Sequence, residues 1–235
     1  MNDNSKTGPP GRSSSRDNSN KQSADDRADH RVRELLGEYG QTYADEAGIK
    51  LADRPGPLYQ LHVLATLLSA RISADIAVAA ARELFAAGYR TADAMAGSGW
   101  QDRVDALGRG HYKRYDERTA TMLGDAAERL IEDYRGDLRQ LRDAADGDAA
   151  GIARRLTGFP GIGPAGASIF LREVQETWPS VAPYVDDKMT AGARKAGLPA
   201  GREAVAGMLA ETRHPAALAA ALVRASLARA SLARS

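Results

Sequence analysis

The chain has 235 residues, 43% of them hydrophobic and 27% charged, proportions that support a folded core and exclude disorder throughout. It contains no cysteine, which excludes disulfides, thiol nucleophiles, thiolate zinc sites and iron–sulfur clusters. No apolar run of about 18 residues occurs and the segment MNDNSKTGPPGRSSS lacks an apolar signal core, so a soluble cytosolic protein is expected.

Taken along the chain, residues 1–29 are rich in Ser, Asn, Asp, Gly and Pro and hold no aromatic. Their composition predicts a disordered tail. Val32, Leu35, Leu36 and Tyr39 then recur at helical spacing up to Gly40. RPGP (54–57) reads as a turn, followed by a helical stripe of Leu61, Leu64, Ala65 and Leu68 that reaches about Ala70. A third helix follows Ser73 or Asp75, passes through Ile76, Ala80 and Leu84, and stops at Gly88. Residues 97–111 read as loop with one short helix. Met122, Ala126, Leu130 and Tyr134 predict a long helix closed by Gly136. Two helices flank PGIGP (160–164), and others fall around 205–209 and 218–227. No period-two alternation marks a strand, so the fold class is all-α. The repeated ASLAR (225–229 and 230–234) is too short for a solenoid and reads as an incidental duplication.

The net charge of +1 is unevenly spread. Residues 188–235 carry eight basic and two acidic side chains, against nineteen and twenty-four over 30–187. A basic C-terminal fifth suits a polyanion, and equally a solvated helix face.

The most informative stretch runs from Ile152 to Leu171, with Leu156-Thr-Gly-Phe159-Pro-Gly-Ile-Gly-Pro164 at its centre. It reads as helix, glycine hairpin, helix. Gly161 and Gly163 can take positive φ and admit a foreign backbone. Pro164 suits the first turn of the second helix. The amides of Gly161, Ile162, Gly163 and Ala165 would then cluster at a helix N-terminus as a cradle for phosphate. An ordinary αα-corner would read the same way.

The pattern Leu-x-x-Phe-Pro-Gly-Ile-Gly-Pro-x-x-Ala resembles the helix-hairpin-helix of the endonuclease III-like DNA glycosylase superfamily, which is named for that motif, a Gly/Pro stretch and a later aspartate. Further elements resemble the family in the same order over roughly 57–195. They are LLSAR (67–71), with Arg71 where glutamine is usual, Gly110-His-Tyr112-Lys113 leading into a helix at Thr119, and Tyr184-Val-Asp186-Asp187. The resemblance implies a two-lobed all-α fold. A helical barrel would cover 57–179 and contain the helix-hairpin-helix at about 152–177; residues 30–56 with 180–235 would form the second lobe. Many members stiffen that lobe with a four-cysteine iron–sulfur cluster, which this chain cannot bind. No cofactor is expected beyond a structural monovalent cation held by the hairpin carbonyls.

The same resemblance implies double-stranded DNA as partner, a monomer, and a cytoplasmic place on the nucleoid. Asp186 would stabilise an oxocarbenium and activate water, with Asp187 in its place if the register shifts by one. An aspartate opening a helix is also a preferred N-cap. Ala165 stands where bifunctional members carry the Schiff-base lysine, so a monofunctional glycosylase without lyase activity is expected. Lys188 reads as a solvated helix residue touching phosphate. Arg71 matches the side chain that fills the gap left by a flipped base, or is an exposed arginine at a helix end. His62, His111, Tyr112, Trp178 and Tyr184 are candidates for a base pocket or for core. No metal-ligand spacing occurs, and GSG (97–99) is no nucleotide fingerprint. Three readings stay open: a DNA-repair glycosylase acting on damaged or mispaired bases, a non-catalytic DNA-binding relative, and a helical interaction scaffold.

Overall fold

The computed structural model describes the backbone of residues 14–228 and the side chains of 26–228. Among these residues the chain is helical, without strands. In order come α1 (Ser14–Tyr39), α2 (Tyr43–Glu46), α3 (Pro55–Leu68), α4 (Ala74–Ala86), α5 (Ala92–Ala96), α6 (Trp100–Arg109) and α7 (Asp116–Tyr134). They are followed by α8 (Leu138–Asp143), α9 (Ala149–Leu156), α10 (Pro164–Val174), α11 (Asp187–Lys195), α12 (Arg202–Glu211) and α13 (Pro215–Leu227). Among the described residues no helix is long and apolar enough to cross a membrane.

Short polar side chains start many of these helices. Thr42 forms a capping box with Asp45, while Ser73, Thr91, Asp137, Asp148 and Asp186 each accept an amide of the turn that follows. Prolines start others. Pro55, Pro164 and Pro215 stand in the first turns of α3, α10 and α13. RPGP (54–57), expected as a turn, therefore opens a helix, because a proline there forfeits no intrahelical bond. The disordered-tail expectation is also corrected for residues 14–29, which belong to α1. They hold no glycine or proline, and the packed turns around Val32 and Leu35 supply the nucleus from which helix propagates. Residues 1–13 and the second ASLAR copy lie outside the described residues.

Two buried clusters organise the molecule. The larger joins Leu58, Leu61 and Leu64 of α3 to Leu84, Leu107, Leu123, Ile152, Phe170 and Trp178. Its centre is α3, buried on all sides. The smaller joins Leu35 of α1 to Met189, Val205, Leu209, Leu218 and Leu222. Ala44, Ala47 and Ile49 pack in the larger cluster, so this part of 30–56 does not side with the smaller one. A tight crossing holds α11 on α13, since a Cβ at Gly192 would lie 1.8 Å from the Leu222 carbonyl oxygen.

Polar ties connect the clusters across α2. Buried Glu173 of α10 accepts the amides of Tyr43 at 3.2 Å and Ala44 at 2.9 Å. Arg224 of α13 pairs with Glu46 at 2.8 Å and lies over the Tyr43 ring. Within the larger cluster, the buried Arg103 guanidinium donates to the carbonyls of Met95, Ser98 and Ala120, pinning α5, α6 and α7 together.

Candidate nucleic-acid interface

Residues 157–163 connect α9 to α10. The Ile162 amide donates to the Phe159 carbonyl at 3.2 Å, closing a turn with Pro160 and Gly161 at its centre, and Gly161 has φ +84°. Proline second and a left-handed glycine third define a type II turn. A Cβ at Gly161 would fall 2.8 Å from Thr66 Cγ2, so the glycine also lets the hairpin settle on α3. Gly163 differs from expectation. Its φ of −96° and ψ of −172° are extended, as the residue before a proline prefers, and a Cβ there would meet open space. Ile162 is corrected too: its amide is used within the turn, and its side chain is core.

Among the described residues the amides of Gly161, Gly163 and Ala165 have no hydrogen-bond acceptor. Three donors therefore remain around the N-terminus of the 11-residue α10, whose dipole favours an anion. The carbonyl side is different. Arg129 donates to the Gly158 carbonyl and sits 5.7 Å from the Phe159 ring centre. That guanidinium occupies the Gly158 carbonyl, so this carbonyl does not serve the monovalent ion that the resemblance implies. Among the described residues no cluster of three or more His, Cys, Asp or Glu could hold a metal.

Beside the hairpin lies an open cleft of about 420 Å³. Thr66 and Arg71 border it from the end of α3, Tyr112, Tyr115 and Arg118 from the start of α7, and Gly161 from the hairpin. His111 takes a left-handed φ of 63° just before Tyr112, which is buried and accepts from Thr119 Oγ1 at 3.3 Å. Arg71 and Arg118 are exposed and, among the described residues, neither makes an ion pair.

Asp186 borders a second cleft, of about 670 Å³, together with Tyr184, Asp187 and Arg202. Its Oδ1 accepts the Met189 amide at 3.0 Å and caps α11; its Oδ2 takes the buried guanidinium of Arg172. Both carboxylate oxygens are thus engaged. Arg172 lies eight residues beyond Pro164 on α10, about 12 Å along the axis. Asp186 and Arg71 line separate clefts. Asp187 is exposed and pairs with Arg202 at 3.2 Å, and Lys188 is exposed.

Of the aromatic candidates only Tyr112 joins the cleft with Arg71, while Tyr184 joins that of Asp186 and donates to Ser168 Oγ at 3.0 Å. His62 is 1% exposed, edge-on to Phe159, and among the described residues neither ring nitrogen has a partner. Trp178 is core, its Nε1 donating to Asp53 at 2.9 Å. His111 is exposed and lines neither cleft. In GSG, Gly97 ends α5 and Gly99 begins α6. Sequence reading missed Tyr115, Arg118 and Arg172. Arg118 had a signal, being a cation in the first turn of a helix against its dipole. Arg172 had none, because nothing in an apolar helix announces a partner fourteen residues later. No protein-family model matches the chain, and no curated protein matches it.

Proposed function

We propose that this protein binds double-stranded DNA through the 157–163 hairpin and the cleft beside it, and releases damaged or mispaired bases by hydrolysing the N-glycosidic bond. A nucleoid location would follow from that partner. The observation that carries the reading is a juxtaposition. The amides of Gly161, Gly163 and Ala165, unengaged among the described residues, cluster where Gly161 borders a cleft bearing Arg71 and Arg118, which make no ion pair among those residues. Fixed amides suit phosphate and position a duplex without reading its sequence. Arg71, exposed at the cleft, suits the gap left when a nucleotide leaves the stack. Asp186 would supply negative charge to the developing oxocarbenium and orient water, with Arg172 as its positioning residue. Ala165 offers no amine, so no imine forms and strand cleavage by that route is absent.

The engagement of Asp186 by Arg172 favours a second reading, in which the aspartate is cap and ion pair only and the protein binds DNA without cutting it. A panel of duplexes separates the two, each with one lesion (uracil, alkylated purine, oxidised guanine, mispaired A or T), followed by alkali to reveal abasic sites. Base release that disappears in Asp186→Asn, with duplex affinity within a few-fold, supports the glycosylase. Tight duplex binding with no release from any lesion supports the second reading. Neither release nor binding removes the proposal.

A further inference from the structure

The cleft beside the hairpin has a charge character that selects among bases. Apart from tyrosines, its ionisable lining is two guanidiniums, Arg71 and Arg118. Asp116 and Glu117 share the first turn of α7 with Arg118 but do not line the cleft. Thr66 and Ser69 donate to the carbonyls of His62 (2.9 Å) and Ala65 (2.6 Å), so they offer lone pairs. Tyr112 accepts from Thr119, so it keeps its own proton to donate. Helix ends contribute partial charges of both signs, positive from the start of α7 and negative from the end of α3. The two whole charges of the arginines decide the balance. Arg118 sits where the α7 dipole opposes it, a placement that helix stability disfavours.

Resting on the glycosylase reading above, we propose that this cleft receives the departing base and that its substrates are bases that leave as anions, the 2,4-dioxopyrimidines, rather than cationic N-alkylated purines. The bond between C1′ and the pyrimidine N1 breaks with both electrons going to N1. The sugar carbon becomes an oxocarbenium and takes the oxygen of one water, whose released proton passes to solvent. The base anion spreads its charge over two carbonyl oxygens, one of which pairs with the Arg118 guanidinium while Arg71 stands at the gap in the stack, and is then protonated by solvent. One water is consumed, and free base and an abasic sugar result. An alkylated purine carries its positive charge before cleavage and leaves neutral. Two arginines repel its bound form and give its leaving group nothing.

The test uses the full chain and four duplexes, with 5-fluorouracil, uracil or thymine opposite guanine, or 7-methylguanine opposite cytosine. Release of the pyrimidines should exceed that of 7-methylguanine by about tenfold or more. Arg118→Leu should slow uracil release about tenfold and steepen the dependence of rate on leaving-base acidity across the pyrimidine series, because the anion loses its counter-charge. Arg118→Lys should recover part of both, and circular dichroism confirms that each variant is folded. Faster release of 7-methylguanine than uracil, or an unchanged slope in folded Arg118→Leu, overturns this inference and leaves the glycosylase reading standing. Release from no duplex of the wider panel overturns both.

Discussion

His62 and Glu173 are both buried, and burial moves their titrations in opposite senses. With no partner for either nitrogen among the described residues, the His62 imidazole is pushed by burial down from 6.5 to about 4. Between those values the unfolded chain binds more protons than the native state. The contribution of His62 to stability therefore rises by about 3 kcal/mol as pH rises from 4 to 6.5. At Glu173 burial outweighs the amides of Ala44 and Tyr43 and raises the carboxyl from 4.5 to about 7. Here the native state holds its proton longer, so stability falls by about 3 kcal/mol as pH rises through that window. The slopes oppose, and urea midpoints of the wild type should be nearly level from pH 4.5 to 6.5. His62→Leu should lose stability with rising pH across this range, and Glu173→Gln should gain it. Level profiles in both variants would show that burial does not govern these groups.

Among the elements, the hairpin separates structural need from binding. A valine at position 163 suits the extended backbone and meets open space, yet stands over the amides of Gly163 and Ala165. Gly163→Val should keep the wild-type unfolding midpoint while weakening duplex binding about tenfold, equally for damaged and undamaged DNA. Gly161→Val should lose stability and binding together, because φ is +84° and Thr66 is in the way. Anisotropy titrations at one fixed salt concentration read both. If Gly163→Val binds undamaged duplex as tightly as wild type, the hairpin is not the clamp. The helices flanking this turn were legible because helix-start residues and 3.6-residue spacing are local properties, as Pro164 illustrates. Three of the four expected donors were legible. Glycines announced the turn, but assigning the Ile162 amide required the turn type, which is a matter of φ. The cleft was legible at Arg71, Tyr112 and Gly161 but not at Arg118, which meets them only in the folded chain, and no spacing along the sequence encodes that.

At the scale of the whole molecule, the ties across α2 determine whether two clusters unfold as one. Trp178 lies in the larger cluster and Trp100 opens α6, so tryptophan fluorescence reports that part, while far-ultraviolet circular dichroism reports every helix. The two unfolding curves should coincide in the wild type. In Glu173→Leu/Arg224→Met, which strips the amides of Tyr43 and Ala44 and the partner of Glu46, dichroism should change before fluorescence. Coincident curves in that double variant would place the coupling elsewhere, in the direct packing of α10 on α13.

The division of the core also orders events during synthesis. The larger cluster closes within residues 44–181, whereas the smaller joins Leu35 to residues 185–225. About 150 residues of chain separate Leu35 from Val185. A ribosome delivers the N-terminus first, so α1 emerges before any helix it packs against and stays without them while the larger cluster completes itself. Its apolar stripe of Val32, Leu35 and Leu36 is therefore an uncovered surface for most of translation, the kind of segment that holding chaperones shield. Closing so long a loop adds little entropy cost beyond that of a shorter one. The delay is thus set by the rate of elongation, and α1 is made well before the α13 on which it packs.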